Sequence, residues 1–326
     1  MAPKKGAKKA QVNATPSENT SKTEDAKPEK TKQDGGAKSQ ETGSKRKKNV
    51  SSDDPQKAPR RSGRGGPKVQ PSKQQLLNFM LSPKAEALCR PDDETEDIEK
   101  RGEIRTYSSS VFNPFEELLS AVILSRPISH RLGLRTIRTI LNDPYNFTSA
   151  QNVKDAGKEK HIQAVWDART QHKEKTAGEI GQIADVVFDM FTSENDKEGT
   201  QLEKLRTDSG KDVEKEREML KGNIKGLGKT GLDIFFRRVQ WVWEVSYPFV
   251  DGRTAQSLYK IGLPDGGEDL QKMIEREWSK LETKHLAGED EATRKRRAFV
   301  TVLERATGAD LEGKGEALVE AAAAAS

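Results

Sequence analysis

Gly222-Asn223-Ile224-Lys225-Gly226-Leu227-Gly228-Lys229-Thr230 stands directly before Leu232, Phe235, Phe236, Val239 and Trp243, the most apolar helical stripe of the chain. Two readings compete for this stretch. A phosphate-binding P-loop needs a glycine, four residues, then Gly-Lys-Ser/Thr at the end of a buried strand. Gly228-Lys229-Thr230 supplies the second half, but position 223 is Asn, and residues 213–221 are charged and helical in pattern. The P-loop is therefore set aside. A helix-hairpin-helix accounts for the stretch better. Ile224 and Leu227 anchor a short turn, Gly226 and Gly228 permit its tight backbone, and residues 228–230 open a helix. The free N–H groups and positive dipole end of that helix suit a DNA phosphate, with Lys225 and Lys229 adding charge. Such a contact reads no base sequence. The plainer alternative is a Gly-rich turn between two core helices.

Outward from the hairpin, apolar residues recur at helical spacing almost throughout. Asn113-Pro114-Phe115-Glu116 opens a helix with an N-cap, a first-turn proline and acids near the positive dipole end; Leu118, Leu119, Val122 and Ile123 continue its stripe. Further stripes run through Leu132, Ile137, Ile140 and Leu141, and through Ile162, Val165 and Trp166. Ile180, Ile183, Val187 and Phe191 form another, followed by Leu270, Ile274, Trp278 and Leu281, and by Phe299, Val302, Leu303 and Ala306. No run alternates as a strand would. The expected fold class is all-α, over residues 73–318. Residues 192–218 are charge-rich and read as an exposed insertion or surface helix that Leu202 and Leu205 dock. The Ala-rich residues 319–326 read as disordered.

Charge divides the chain. Its 326 residues carry a formal net charge of +5. Residues 1–72 hold 18 Lys/Arg against 8 Asp/Glu and contain no Leu, Ile, Phe, Tyr or Trp. A segment without aliphatic bulk cannot offset the entropy of ordering, so 1–72 is expected to be a disordered basic tail. The remainder holds 39 basic against 44 acidic residues, so the body is slightly acidic. Lys45, Arg46, Lys47 and Lys48 are the best candidates for recognition by a nuclear import factor; a solubilising tail is the alternative. One Cys, Cys89, excludes a disulfide framework and any cluster or zinc site with several Cys ligands from this chain. The four His show no metal-ligand spacing on one helix face. No apolar run approaches a membrane span, and the first thirty residues lack a signal peptide's apolar stretch. A nuclear monomer is expected.

Twenty-three residues after Gly228 comes Val250-Asp251-Gly252-Arg253-Thr254, leading into another helix. Asp251 reads as an N-cap, or as a carboxylate held beside a DNA-binding hairpin for chemistry on an extruded nucleotide. Residues 113–264 resemble the helix-hairpin-helix DNA glycosylase superfamily, in its endonuclease-III-like branch. Four blocks carry the resemblance in the family's order: the helix from Asn113 to Ser125, Gly157–Ile162, the hairpin Ile224–Gly228, and Val250-Asp251. It implies a two-lobed α-helical fold with double-stranded, damaged DNA across the cleft and the target base flipped into a pocket. Ile224, Lys225, Gly226, Leu227, Gly228, Lys229, Thr230 and Arg253 would then contact DNA. Asp251 would stabilise the oxocarbenium-like sugar as the N-glycosidic bond breaks, a term on the order of 3–4 kcal/mol by analogy with oxyanion-hole donors.

The sequence departs from that pattern in three places. Members that cleave the strand carry a Lys two residues after the second hairpin glycine; Thr230 stands there, and Lys229 is turned away by about 100° of helix. The resemblance therefore implies a monofunctional glycosylase using water, with weak or no lyase activity. The family's four-Cys cluster is missing, so no iron-sulfur cofactor is expected. Where the family often places a DNA-wedging Gln, this chain has Arg126-Pro127-Ile128. Arg237 and Arg238 read as an extension of the basic face, Arg253 as a partner for Asp251 or Glu244, and Trp241 as a candidate pocket wall. A DNA-binding or lesion-sensing module without catalysis is the alternative function.

Overall fold

The computed structural model describes residues 70–325. The basic cluster at Lys45, Arg46, Lys47 and Lys48 and nearly all of the expected tail lie outside the described residues. Among those described there are fourteen α-helices and no strand, as the apolar periodicity requires. Ser72 caps α1 (Lys73–Leu81) in a capping box with Gln75, and Leu76, the first Leu of the sequence, is buried in it. Short α2 (Glu86–Cys89) and acidic α3 (Asp92–Arg101) follow.

The middle of the chain builds one apolar core. It comprises α4 (Pro114–Leu124), α5 (His130–Ile140), α6 (Ala150–Asp167), α7 (Lys173–Val186), α8 (Glu203–Asp208), α9 (Val213–Asn223) and α10 (Lys229–Val239). Asn113 caps α4 through a capping box with Glu116. The predicted stripe of Phe115, Leu118, Leu119, Val122 and Ile123 is buried, facing α10. The helix carrying Gly157 is broken there by a positive φ of 73°.

Both ends of the described chain build a second core. Here α1 packs with α11 (Gly252–Lys260), α12 (Gly267–Glu277), α13 (Glu291–Leu311) and α14 (Gly315–Ala324). The described residues thus hold two separate apolar clusters within an all-helical body.

Two expectations change, at the Ala-rich end and at Trp166, and one holds. Residues 319–326 were expected to be disordered, yet α14 runs to Ala324; alanine has the best helix propensity, and Leu318 and Ala322 are buried in the second core. Residues 192–218 form mostly exposed turns and the surface helix α8 with the start of α9, docked by buried Leu202 and Leu205 as expected; the Asp196 carboxylate accepts N–H bonds from Thr200 and Gln201 at 2.7 and 2.9 Å. Trp166 is exposed rather than core, with the Lys173 ammonium 4.4 Å from its ring.

Candidate functional site

The hairpin forms between α9 and α10. Ile224 ends α9, and its carbonyl accepts the Leu227 N–H at 3.2 Å. Both apolar anchors are buried, while Lys225, Gly226, Gly228, Lys229 and Thr230 are exposed. Gly226 takes φ +87°, where a Cβ would be strained. Gly228 is the N-cap of α10 and provides no side-chain cap, so the first N–H groups of α10 face outward without an internal acceptor from that residue. Close packing fixes the helix: a Cβ on Gly231 would lie 2.7 Å from Leu227 Cδ1 and 3.1 Å from Ser125 Oγ. Lys229 is not a free cation, because Nζ lies 2.5 Å from Asp233 Oδ2.

Asp251 is the N-cap of α11 and only 8% exposed. Its Oδ1 accepts the backbone N–H groups of Arg253 and Thr254 at 3.0 and 3.2 Å. Its Oδ2 accepts the Thr254 hydroxyl at 2.6 Å and Arg237 Nη1 at 3.0 Å. Burial alone would push this carboxyl's pKa up; the Arg237 guanidinium and the Thr254 hydroxyl more than offset it, and the group is held below the ordinary Asp range. It is a carboxylate at neutral pH with its acceptor positions filled.

Arg237 is the main feature that sequence reasoning placed wrongly. It and Arg238 are buried, not part of an outer basic face. Arg237 bridges Asp251 and Glu304, with Nε 2.5 Å from Glu304 Oε1. Arg238 lies 2.9 Å from Glu117 Oε2. Glu304 comes from α13, so only the packing of α10 against α13 reveals it. The site floor therefore holds two carboxylates around one guanidinium, with Arg238 Nη1 a further 3.8 Å from Glu304 Oε2.

Above this floor opens a cavity of about 400 Å³, within the range of pockets that take small ligands. Exposed Lys229, Thr230 and Arg253 line it together with Asp251, so the hairpin helix and the Asp loop do share one site. Its apolar wall includes Leu124, Ile128 and Leu134. A second cavity of about 580 Å³ shares Lys229, Asp233, Asp251 and Gly252 with the first. His130 also lines the 400 Å³ cavity; burial lowers its pKa, outweighing the Glu312 carboxylate 3.3 Å from Nδ1, so the imidazole is neutral at pH 7. The Cys89 thiol in the wall is pushed up to about 12 by burial and stays protonated.

Other expectations resolve as follows. Arg253 reaches Asp251 through its backbone N–H, not as an ion pair, and Glu244 instead lies 3.8 Å from Arg296. Trp241 lines neither cavity at Asp251; the Arg297 guanidinium sits 5.4 Å from its ring. Of the run at 126–128, Arg126 is paired with Glu179 and Ile128 is cavity wall. Among the described residues no group of three His, Cys, Asp or Glu is placed to hold a metal ion, and no helix is long and apolar enough to cross a membrane. No protein-family model, curated protein or solved structure matches the chain.

Proposed function

We propose that the chain is a helix-hairpin-helix protein of DNA base-excision repair: a monofunctional N-glycosylase that removes a damaged or mismatched base, with Asp251 as its catalytic carboxylate. The observation that carries this reading is the placement of an ionised, preorganised Asp251 in a 400 Å³ cavity lined also by Lys229 and Thr230 of the hairpin helix.

The hairpin binds a phosphate through the first N–H groups of α10 and through Lys225, and Arg253 adds a cation at the cavity edge. The flipped nucleotide enters against the apolar wall. As the bond between base and C1′ breaks, the base leaves with the bonding pair and positive charge grows on the sugar. The ionised Asp251 carboxylate, held in place by Arg237 and Thr254, stabilises that charge as it develops. Water then adds to C1′. Asp251 has no unfilled acceptor position for its proton, so its role is electrostatic; neutral His130, whose Nδ1–H faces Glu312, carries the basic nitrogen Nε2 and accepts the proton. Thr230 at the position of the family's amine nucleophile leaves the abasic strand uncut. Lys45, Arg46, Lys47 and Lys48 would direct the protein to the nucleus.

One observation favours a second reading. Asp251 is engaged at both oxygens within its own cap and with Arg237, which is how a purely structural cap looks. On that reading the protein binds DNA and senses lesions without breaking bonds. Duplexes carrying single lesions, incubated with wild type or Asp251→Asn and treated with hot alkali, separate the two. Breaks with wild type alone support the enzyme; DNA binding without breaks on any lesion supports the sensor.

A further inference from the structure

A third cavity, of about 190 Å³, adjoins the first through Ser108, Glu304 and Arg305. Its charge is unusual. Three buried arginines line it: Arg238, Arg297 and Arg305. Arg238 is matched by Glu117, at 2.9 Å, and Arg305 by Glu86, at 3.0 Å. Glu304 is taken by Arg237 at 2.5 Å, with its other oxygen 3.8 Å from Arg238. Arg297 is 8% exposed. Among the described residues it has no carboxylate partner within ion-pair distance, only the Ser110 carbonyl at 3.4 Å and the face of Trp241. Burying an uncompensated charge is costly. Each of the three arginines also keeps one buried N–H group without an acceptor among the described residues: Arg238 Nη2, Arg297 Nη1 and Arg305 Nε.

We propose that this cavity is a binding site for a phosphate-type oxyanion, with Arg297 as its principal ligand. An oxyanion supplies what the site lacks: a negative group in direct contact with Arg297 and oxygen acceptors for the three orphaned donors. Guanidinium forks match tetrahedral oxygens well. Of the hydroxyls lining the same space, those of Ser108 and Thr301 already donate to Glu94 and to the Arg297 carbonyl, so the guanidinium groups supply the donors. A divalent cation is repelled by the same arginines. The volume lies below the ~300–1,000 Å³ of pockets that enclose drug-sized ligands, so the site suits a small ion or a phosphate group whose remainder projects outside. Burial and the nearby charge of Arg238 lower the Arg297 guanidinium to about 10, more than the carboxylates of Glu117 and Glu304 offset. This proposal stands apart from the base-excision reading, since it uses neither Asp251 nor the hairpin.

The test is thermal unfolding of the full chain at constant ionic strength, with inorganic phosphate replacing chloride. A second arm uses a deoxynucleoside 5′-monophosphate. Ligand binding to the folded state should raise the Tm by about 4 °C once phosphate is well above its Kd. Arg297→Met should lose the shift, while Lys225→Ala/Lys229→Ala, which weakens the hairpin site, should keep it. A shift with phosphate alone assigns a free ion, and a shift in both arms assigns a phosphate-bearing ligand. If Arg297→Met does not fold, Arg297→Lys replaces it, and an anomalous selenate peak beside Arg297 in wild-type crystals decides. No shift above chloride in either arm, an equal shift in the Arg297 variant, or selenate bound only elsewhere overturns the proposal.

Discussion

Arg237 Nη1 lies 3.0 Å from Asp251 Oδ2, and the same guanidinium holds Glu304 through Nε at 2.5 Å. One buried cation from the hairpin helix thus joins two carboxylates carried by α11 and α13. This arrangement makes Arg237 the residue on which both the stability and the charge of the site depend.

Arg237→Met removes that cation and leaves two buried carboxylates near each other. The variant should lose about 3–5 kcal/mol of stability, the range for breaking one side of a buried ion pair. Urea unfolding measures it. An effect below about 1 kcal/mol would show that the pair is not a stabilising element.

The acid side of the stability curve follows from Asp251. Its folded-state pKa is held below the ordinary Asp value, so the stability it contributes is complete above about pH 4 and is lost as pH falls through the folded value. The stability difference between wild type and Asp251→Asn should therefore be largest near neutrality and shrink toward pH 3. Unfolding curves of both proteins across that interval check the sign; a gap that widens in acid refutes it.

The two hairpin lysines should not be equivalent. Lys229 is shared with Asp233, whereas no ion pair of Lys225 is found among the described residues. Lys225→Ala should flatten the salt dependence of DNA binding by about 0.9 in the log–log slope, the value for one phosphate contact. Lys229→Ala should flatten it less. Removal of residues 1–69 should flatten it most, because that segment carries the basic excess, and should leave base release unchanged. Binding titrations between about 50 and 200 mM salt, a roughly fourfold range, give all three slopes.

Gly226→Ala places a Cβ at φ +87° and should destabilise by about 1–2 kcal/mol. The same change should weaken duplex binding several-fold, since it displaces the outward N–H groups of α10. Calorimetric unfolding and a binding titration on one preparation measure both; full affinity in the variant would separate the turn from DNA contact.

Local features were legible in the sequence because their signals are local. The spacing of Phe115, Leu118, Leu119 and Val122 gave the buried face of α4, and Ile224, Gly226 and Leu227 gave the hairpin. Asn113 could be read as a cap because its partner Glu116 is three residues away. The placement of Asp251 against the hairpin helix was legible only through a resemblance between separated blocks.

Arg237, Glu304 and Arg297 were not legible. An arginine beside an apolar stripe reads as solvated, and nothing local distinguishes Arg237 from an exposed basic residue. Its burial depends on carboxylates 14 and 67 residues away. The Ala-rich end was misread for a related reason: its composition looked featureless, but small side chains let α14 pack closely on α1.

The two apolar cores differ in how the ribosome delivers them. The first is one continuous stretch, so its helices can pack as soon as Trp243 has emerged. The second needs α1 to meet α13, where Arg305 binds the carbonyls of Met80 and Ser82 across more than two hundred residues. That lobe waits for the end of synthesis. Asp251, Arg237 and Glu304 come together only when it closes, so in a chain truncated before α13 the hairpin can form while the charged floor of the cavity never assembles.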